Sequence, residues 1–286
     1  MTIFDTRICE LGEGALWHPT REQLFWFDIL NARLLTQENG TQRKWQFEHM
    51  VSAAAWVDET TLLIASERDL FLFNLETATR QSLTPLEPDS PDTRSNDGRA
   101  DRQGGFWIGT MGKDPDTRRG KGAIYRYYLG ELRLLYPGIS IPNAICFAPD
   151  GHRAYFADTM EAKVWTVTLN VDGWPNAEPT LFLDLKSDGL HPDGAVTSAD
   201  GTFWNAQWGA SRVAAYSPQG HFLKAIPFDA PQTSCPAFGG PDLTTLFCTT
   251  ALEGMSSDAC TTYPNAGKTF AAPSGTTGLL EPRFTL

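Results

Sequence analysis

AICFAPDGHRAYFADT, running from Ala144 to Thr159, carries the pattern that decides the fold. It opens with small and apolar residues. A polar turn containing Pro149, Asp150 and Gly151 follows, and a run with Tyr155 and Phe156 closes the unit. This is a hairpin signature: Asp-Gly supplies a tight turn, and aromatic or aliphatic flanks suit a half-buried pleated surface. Just downstream, KVWTVTLN (Lys163–Asn170) alternates Trp165, Val167 and Leu169 with Thr166 and Thr168. That period of two predicts a further strand with one face buried.

The same block recurs along the chain. It is found in GALWHPTREQLFWFDI from Gly14, AAAWVDETTLLIAS from Ala53 and GRADRQGGFWIGTM from Gly98. It returns in GAVTSADGTFWNAQW from Gly194 and PAFGGPDLTTLFCTT from Pro236. Further strand-like sequence follows several blocks, as in DLFLFNLE (Asp69–Glu76), GAIYRYYLGELRLLY (Gly122–Tyr136) and RVAAYSPQGHFLKAI (Arg212–Ile226). Each unit thus holds about four strands in roughly 40–50 residues, the size of a propeller blade. Helical periodicity is scarce, and a sandwich or large barrel leaves the recurrence unexplained. The sequence predicts an all-β protein: one six-bladed β-propeller over residues 1–286, with four antiparallel strands per blade around a central channel. TPLEPDSPDTRSND (Thr84–Asp97) reads as an inter-blade loop, and GLLEPRFTL (Gly278–Leu286) as the segment that joins the N-terminus to close the ring.

Composition narrows the function. The net charge of −11 lacks the basic footprint of a nucleic-acid binder. The one basic cluster, Arg118, Arg119 and Lys121, reads as a solvated loop. No apolar run approaches the ~20 residues needed to span a bilayer, and MTIFDTRICE does not resemble a signal peptide. Five cysteines without a C-x-x-C pair indicate neither a disulfide framework nor a thiolate zinc site. A soluble cytoplasmic protein with buried thiols is expected, with no membrane, nucleic-acid or obligate protein partner.

In a propeller the first strand of each blade lines the channel, so equivalent positions face one another around the axis. About one step ahead of each block lie Glu13, Ser52, Asn96 or Asp97, Asn143, Asp193, and Ser234 or Cys235. Glu13, Asn143 and Asp193 are therefore expected to converge at one mouth. Two carboxylates brought together repel and pay for burial, and a hard cation offsets both effects. Carboxylate and amide oxygens suit calcium or magnesium, while zinc or manganese can also occupy such a set. Read singly, Asp193 and Asp97 stand in Asp-Gly pairs typical of turns, and His18 and His191, each before a proline, read as loop residues. The shared register is what favours a site. No G-x-S-x-G elbow occurs, which argues against a serine hydrolase of the α/β type.

LGEGALWHP, RSNDGRADRQGGFWIGTM, IPNAICFAPDGHRAYFADT and HPDGAVTSADGTFW, taken in this order, resemble the gluconolactonase/regucalcin family, also called the senescence marker protein family. The resemblance covers nearly the whole chain. It implies a six-bladed propeller with one divalent metal in the channel, calcium foremost. By motif, Glu13, Asn143 and Asp193 fall on the metal ligands and Asp193 also on the general base. Arg94 and Asn96 of RSNDG fall on the substrate-binding pair, and Asp114 on an acidic lid residue that is commonly Glu. The loop GKDPDTRRGKG departs from better-known members.

These residues suit metal-assisted opening of sugar lactones, whether aldono-, aldaro- or uronolactones, to the sugar acids. Two other readings stay open. One is a non-catalytic calcium-binding or interaction propeller, against which Arg94-x-Asn96 argues, since a cation buffer does not need it. The other is a propeller esterase or phosphotriesterase.

Overall fold

Small side chains mark the innermost strand of every blade. These strands are Gly12–His18, Val51–Trp56, Thr93–Ala100, Pro142–Phe147, His191–Thr197 and Thr233–Gly239. Strands converge near the axis, leaving room for Gly, Ala, Ser and Asn but not for rows of large rings. At Gly14, with φ of +59°, a Cβ would lie 2.2 Å from the Ser52 carbonyl oxygen of the next blade. Glycine is therefore required beside Glu13. Outer strands are longer in side chain and half exposed, as in Glu131–Ile139.

The computed structural model describes residues 1–286. Six four-stranded antiparallel sheets succeed one another in chain order, so the fold is a six-bladed β-propeller. Six apolar clusters, one at each blade-to-blade interface, close the ring. Between the first two blades, Phe25, Phe27 and Leu34 pack on Ile64, Phe71 and Phe73. Between the last and the first, Cys235, Ala237 and Phe247 meet Ala15, Trp17 and Trp26. Burial of such aromatic faces, worth about 25 cal/mol per Å² of apolar surface, is what holds blade to blade. Beyond the strands there are a 3₁₀ turn at Thr159–Glu161 and a single α-helix, Ser257–Thr262. No helix is long and apolar enough to cross a membrane.

Ring closure differs from the expectation. The sixth blade takes its outer strand from the N-terminus: Thr2–Asp5 pairs antiparallel with Thr269–Pro273. GLLEPRFTL forms no regular strand. It leaves the sixth blade, where Gly278 N donates to Leu243 O, and passes the fifth at a Ser198–Gly278 bridge. It ends on the second and third blades, where Phe284 N donates to Trp56 O and Thr285 N to Gly104 O. Phe284 is fully buried, and Glu281 ion-pairs with Arg99 of the third blade. The tail thereby covers one end of the channel. About 30 Å³ remains there, enough for about one water.

Two further expectations change. Only residues 86–92 of the stretch Thr84–Asp97 form a loop, because Thr84 and Pro85 end the second blade's outer strand, Arg80–Pro85, and Thr93 begins the third blade's innermost strand. His18 and His191 both lie in innermost strands. His18 is buried, and its Nε2 lies 2.9 Å from Asp58 O, tying the first blade to the second.

Candidate active site

A β-bulge interrupts the pairing of the first two strands in every blade. The register shifts fall between Glu13 and Leu16, Val51 and Ala53, Ser95 and Gly98, Asn143 and Cys146, Pro192 and Ala195, and Thr233 and Pro236. The channel-facing polar residues therefore lie within the innermost strands rather than ahead of them. Glu13 and Asn143 hold the last paired position before the bulge. Asn96 and Asp193 stand one residue further on, inside it. A bulge re-aims side chains, which is how both positions can turn to the axis. Asp193-Gly194 is thus part of a strand and not a turn.

Glu13, Arg94, Asn96, Asn143 and Asp193 all line one cavity of about 410 Å³ at the open mouth of the channel. That size lies in the range of small-molecule sites. All five are buried. A hydrogen-bonded chain runs around the mouth. Arg94 Nη1 donates to Asn96 Oδ1 at 2.7 Å and to Ser95 O at 2.9 Å. Asn96 Nδ2 donates to Asn143 Oδ1 and to Pro142 O, both at 3.0 Å. Asn143 Nδ2 donates to Thr159 Oγ1 at 2.8 Å, and Thr159 Oγ1 donates to Pro192 O at 2.6 Å. This chain fixes both amides, so their oxygens point in set directions. Thr159 was not anticipated; it stands at the start of the 3₁₀ turn, where no repeat pattern marks it.

Glu13 and Asp193 touch across the axis. Burial raises the pKa of both; the charge of Asp97 adds to the rise at Glu13, which its hydrogen bond with Asp193 opposes, and the charges of Glu13 and Asp97 add to the rise at Asp193. Glu13 is pushed up to about 8 and Asp193 well above its ordinary range. Glu13 accepts from Gly14 N at 3.0 Å, and neither carboxyl has a cationic side chain hydrogen-bonded to it. Nowhere do three His, Cys, Asp or Glu side chains gather at metal spacing, so a third side-chain donor here has to be an amide. Asn143 Oδ1 takes one hydrogen bond and has a lone pair left. The donor set thus fits a hard divalent cation.

The remaining register positions play other parts. Asp97 is not in the cavity: its Oδ2 accepts from Ile145 N at 2.7 Å, and burial pushes its pKa up to about 6. Ser52 Oγ donates to Ser95 Oγ at 2.8 Å, and Ser234 Oγ to Gly12 O at 2.5 Å. These hydroxyls lace neighbouring inner strands together. Asp114 is exposed and outside the cavity lining. Its carboxylate accepts from Asp116 N at 3.0 Å and from Thr117 Oγ1 at 3.3 Å, capping its own turn. The same loop instead brings Pro115 and Arg118 to the cavity, and Glu253 enters from the sixth blade.

A six-bladed propeller with a buried carboxylate pair and a fixed Arg-Asn-Asn chain at one channel mouth defines a class of small-molecule site. Residues 11–252 match the SMP-30/gluconolactonase/LRE-like region model, and the chain belongs to that family. It is 39% identical over 280 residues to a Rhizobium meliloti (strain 1021) protein bearing a provisional sugar lactone lactonase name, covering 97% of this chain and 94% of that one. It is 33% identical over 288 residues to the L-arabinolactonase of Azospirillum brasilense, covering 99% and 94%. The crystal structure of a calcium-binding protein, regucalcin, from Agrobacterium tumefaciens superposes with a TM-score of 0.96 at 36% identity, covering 100% and 97%.

Proposed function

We propose that this chain is a metal-dependent sugar lactonase that opens its substrates at the channel mouth. The observation that carries the reading is the placement of the Arg94–Asn96–Asn143 chain beside the Glu13–Asp193 pair in one cavity. Relatives named as lactonases point the same way. Glu13, Asn143 and Asp193 would hold the cation, with calcium the first candidate among calcium, magnesium, manganese and zinc. When bound, such a cation supplies Lewis-acid polarisation of the ester carbonyl and eases deprotonation of water.

The rest of the chemistry belongs to the side chains. Asp193 takes the proton of the attacking water as general base. Arg94 Nε and Nη2 make no hydrogen bond within the protein, so they are free to grip substrate oxygens. Asn96, held by Asn143 and Pro142, orients the ring through its hydroxyls. No large group has to leave when a ring ester opens, so a cavity of this size suffices. The five unpaired cysteines, four of them buried, suit a reducing compartment, and we place the enzyme in the cytoplasm.

The test is a panel of five- and six-membered sugar lactones, followed by acid release, in chelator and after metal return. Opening of at least one lactone, lost to chelator and regained with a divalent cation, is expected. Failure of metal-replete protein to open any of them would favour a binding platform.

A further inference from the structure

The loop from 113 to 121 crosses the rim of the mouth and is tied down at both ends. Lys113 N donates to Asp92 O at 2.9 Å, and Gly120 N donates to Ser140 Oγ at 3.0 Å. Its backbone lies hard against the sheet. A Cβ on Gly112 would come within 2.9 Å of the Arg118 Cα, so only glycine admits the loop there. The loop carries four cations. Lys113 pairs with Glu67, Arg119 with Glu161 and Lys121 with Asp92. Arg118 has no carboxylate partner. Its Nε is buried and makes no hydrogen bond, and its one contact, from Nη2 to Lys113 O, is long at 3.4 Å. It lines the cavity.

Arg94, on the neighbouring strand, also forms no ion pair, and its Nη1 bonds go only to neutral oxygens. Burial disfavours its charge most, but the acids at the mouth answer it: Glu253, Glu13 and Asp193 favour that charge, and Arg118 opposes it. Arg118 is different, because it combines the absence of an ion pair with a buried N–H that nothing in the protein accepts. Such a donor costs free energy unless an acceptor comes to it.

We propose that Arg118 is a specificity-determining residue that pairs with a free carboxylate on the substrate, making lactones of sugar diacids and uronic acids the preferred class. The proposal rests on the lactonase reading above and goes beyond it by choosing among lactones. A guanidinium offers parallel N–H donors that match the two oxygens of a carboxylate. Arg118 grips that group at the rim, while Arg94 and Asn96 hold the ring below it.

The experiment compares wild type, Arg118→Gln and Arg118→Lys on a neutral aldonolactone and an aldarolactone of equal ring size, with a phosphorylated aldonolactone as a third substrate. Calorimetry with the ring-opened acids, aldonate and aldarate, runs beside it on calcium-replete protein. Wild type is expected to favour the aldarolactone in kcat/KM. Arg118→Gln should lower that value by about ten- to hundredfold, chiefly through KM, and shift the neutral lactone by less than about threefold. Arg118→Lys should fall between. Aldarate should bind more tightly than aldonate, and this preference should vanish in Arg118→Gln. Preference for the neutral lactone, or equal losses on both substrates, overturns the proposal. Preference for the phosphorylated lactone overturns the choice of carboxylate. If no lactone is opened, the lactonase reading fails, yet calorimetry still decides Arg118. Aldarate binding lost in Arg118→Gln retains its anion role, and equal binding removes it.

Discussion

Glu13→Gln should stabilise the metal-free protein and abolish its response to metal. Glu13 is buried against Asp193, and its pKa is raised from the usual 4.5 to about 8. Between those values the folded chain binds more protons than the unfolded one. Stability must therefore fall as pH rises from about 4.5 to about 8. At about 1.4 kcal/mol for each tenfold change in proton affinity, the cost at pH 8 is a few kcal/mol. The Gln amide removes it. Its NH₂ can donate to Asp193 at any pH, and its oxygen can still accept from Gly14 N. A gain of that size corresponds to a rise in melting temperature of roughly 5–10 °C for a chain of this length. The assay is thermal unfolding in chelator at pH 5.5 and pH 8, repeated with excess calcium or manganese. Wild type should melt lower at pH 8 than at pH 5.5 in chelator, and recover with cation. Glu13→Gln should lose less stability than wild type between pH 5.5 and pH 8, the remaining fall coming from the buried Asp193 and Asp97, and it should be insensitive to cation. An apo Glu13→Gln that melts below wild type at pH 8, or that gains as much from cation, would refute the reasoning.

Other substitutions probe the rest of the account. Arg94→Lys keeps the charge but loses the fork, so kcat/KM on the best lactone should fall by roughly ten- to hundredfold, with calorimetric cation affinity unchanged. Asp114→Ala removes only a turn cap, and turnover should change by less than about threefold, since a lost cap costs stability rather than contact with substrate; a loss as large as that of Arg94→Lys would mean the loop meets substrate through Asp114. Glu281→Ala strips Arg99 of its partner beneath the tail and should cost about 3–5 kcal/mol, read as a lower midpoint in denaturant titration.

The blades were legible because a hairpin with alternating flanks repeats at nearly constant length. AICFAPDGHRAYFADT and its five counterparts mark the first two strands of each sheet. Ring closure was not legible. Thr2–Asp5 is four residues long, too short for any periodicity. The tail makes its bonds to backbone groups of distant blades, which leave no mark on its own sequence. At the site, repeat register brought Glu13, Asn143 and Asp193 together, whereas the one-residue offset at the bulge needed coordinates. Arg118 was missed for a different reason. Beside Arg119 and Lys121 it looks like a solvated charge, and only the path of the loop separates the cation that faces the cavity from those paired outside it.

The central claim is that the carboxylate pair at the mouth does chemistry and does not merely store a cation. Asp193→Asn tests it most directly, because the amide keeps an oxygen ligand and loses the base. The measurement is kcat for lactone opening at saturating divalent cation, with metal content confirmed in the same sample. A fall of about 10²-fold or more is expected, the range usual for loss of a general base. A metal-saturated Asp193→Asn protein with wild-type kcat would contradict the account.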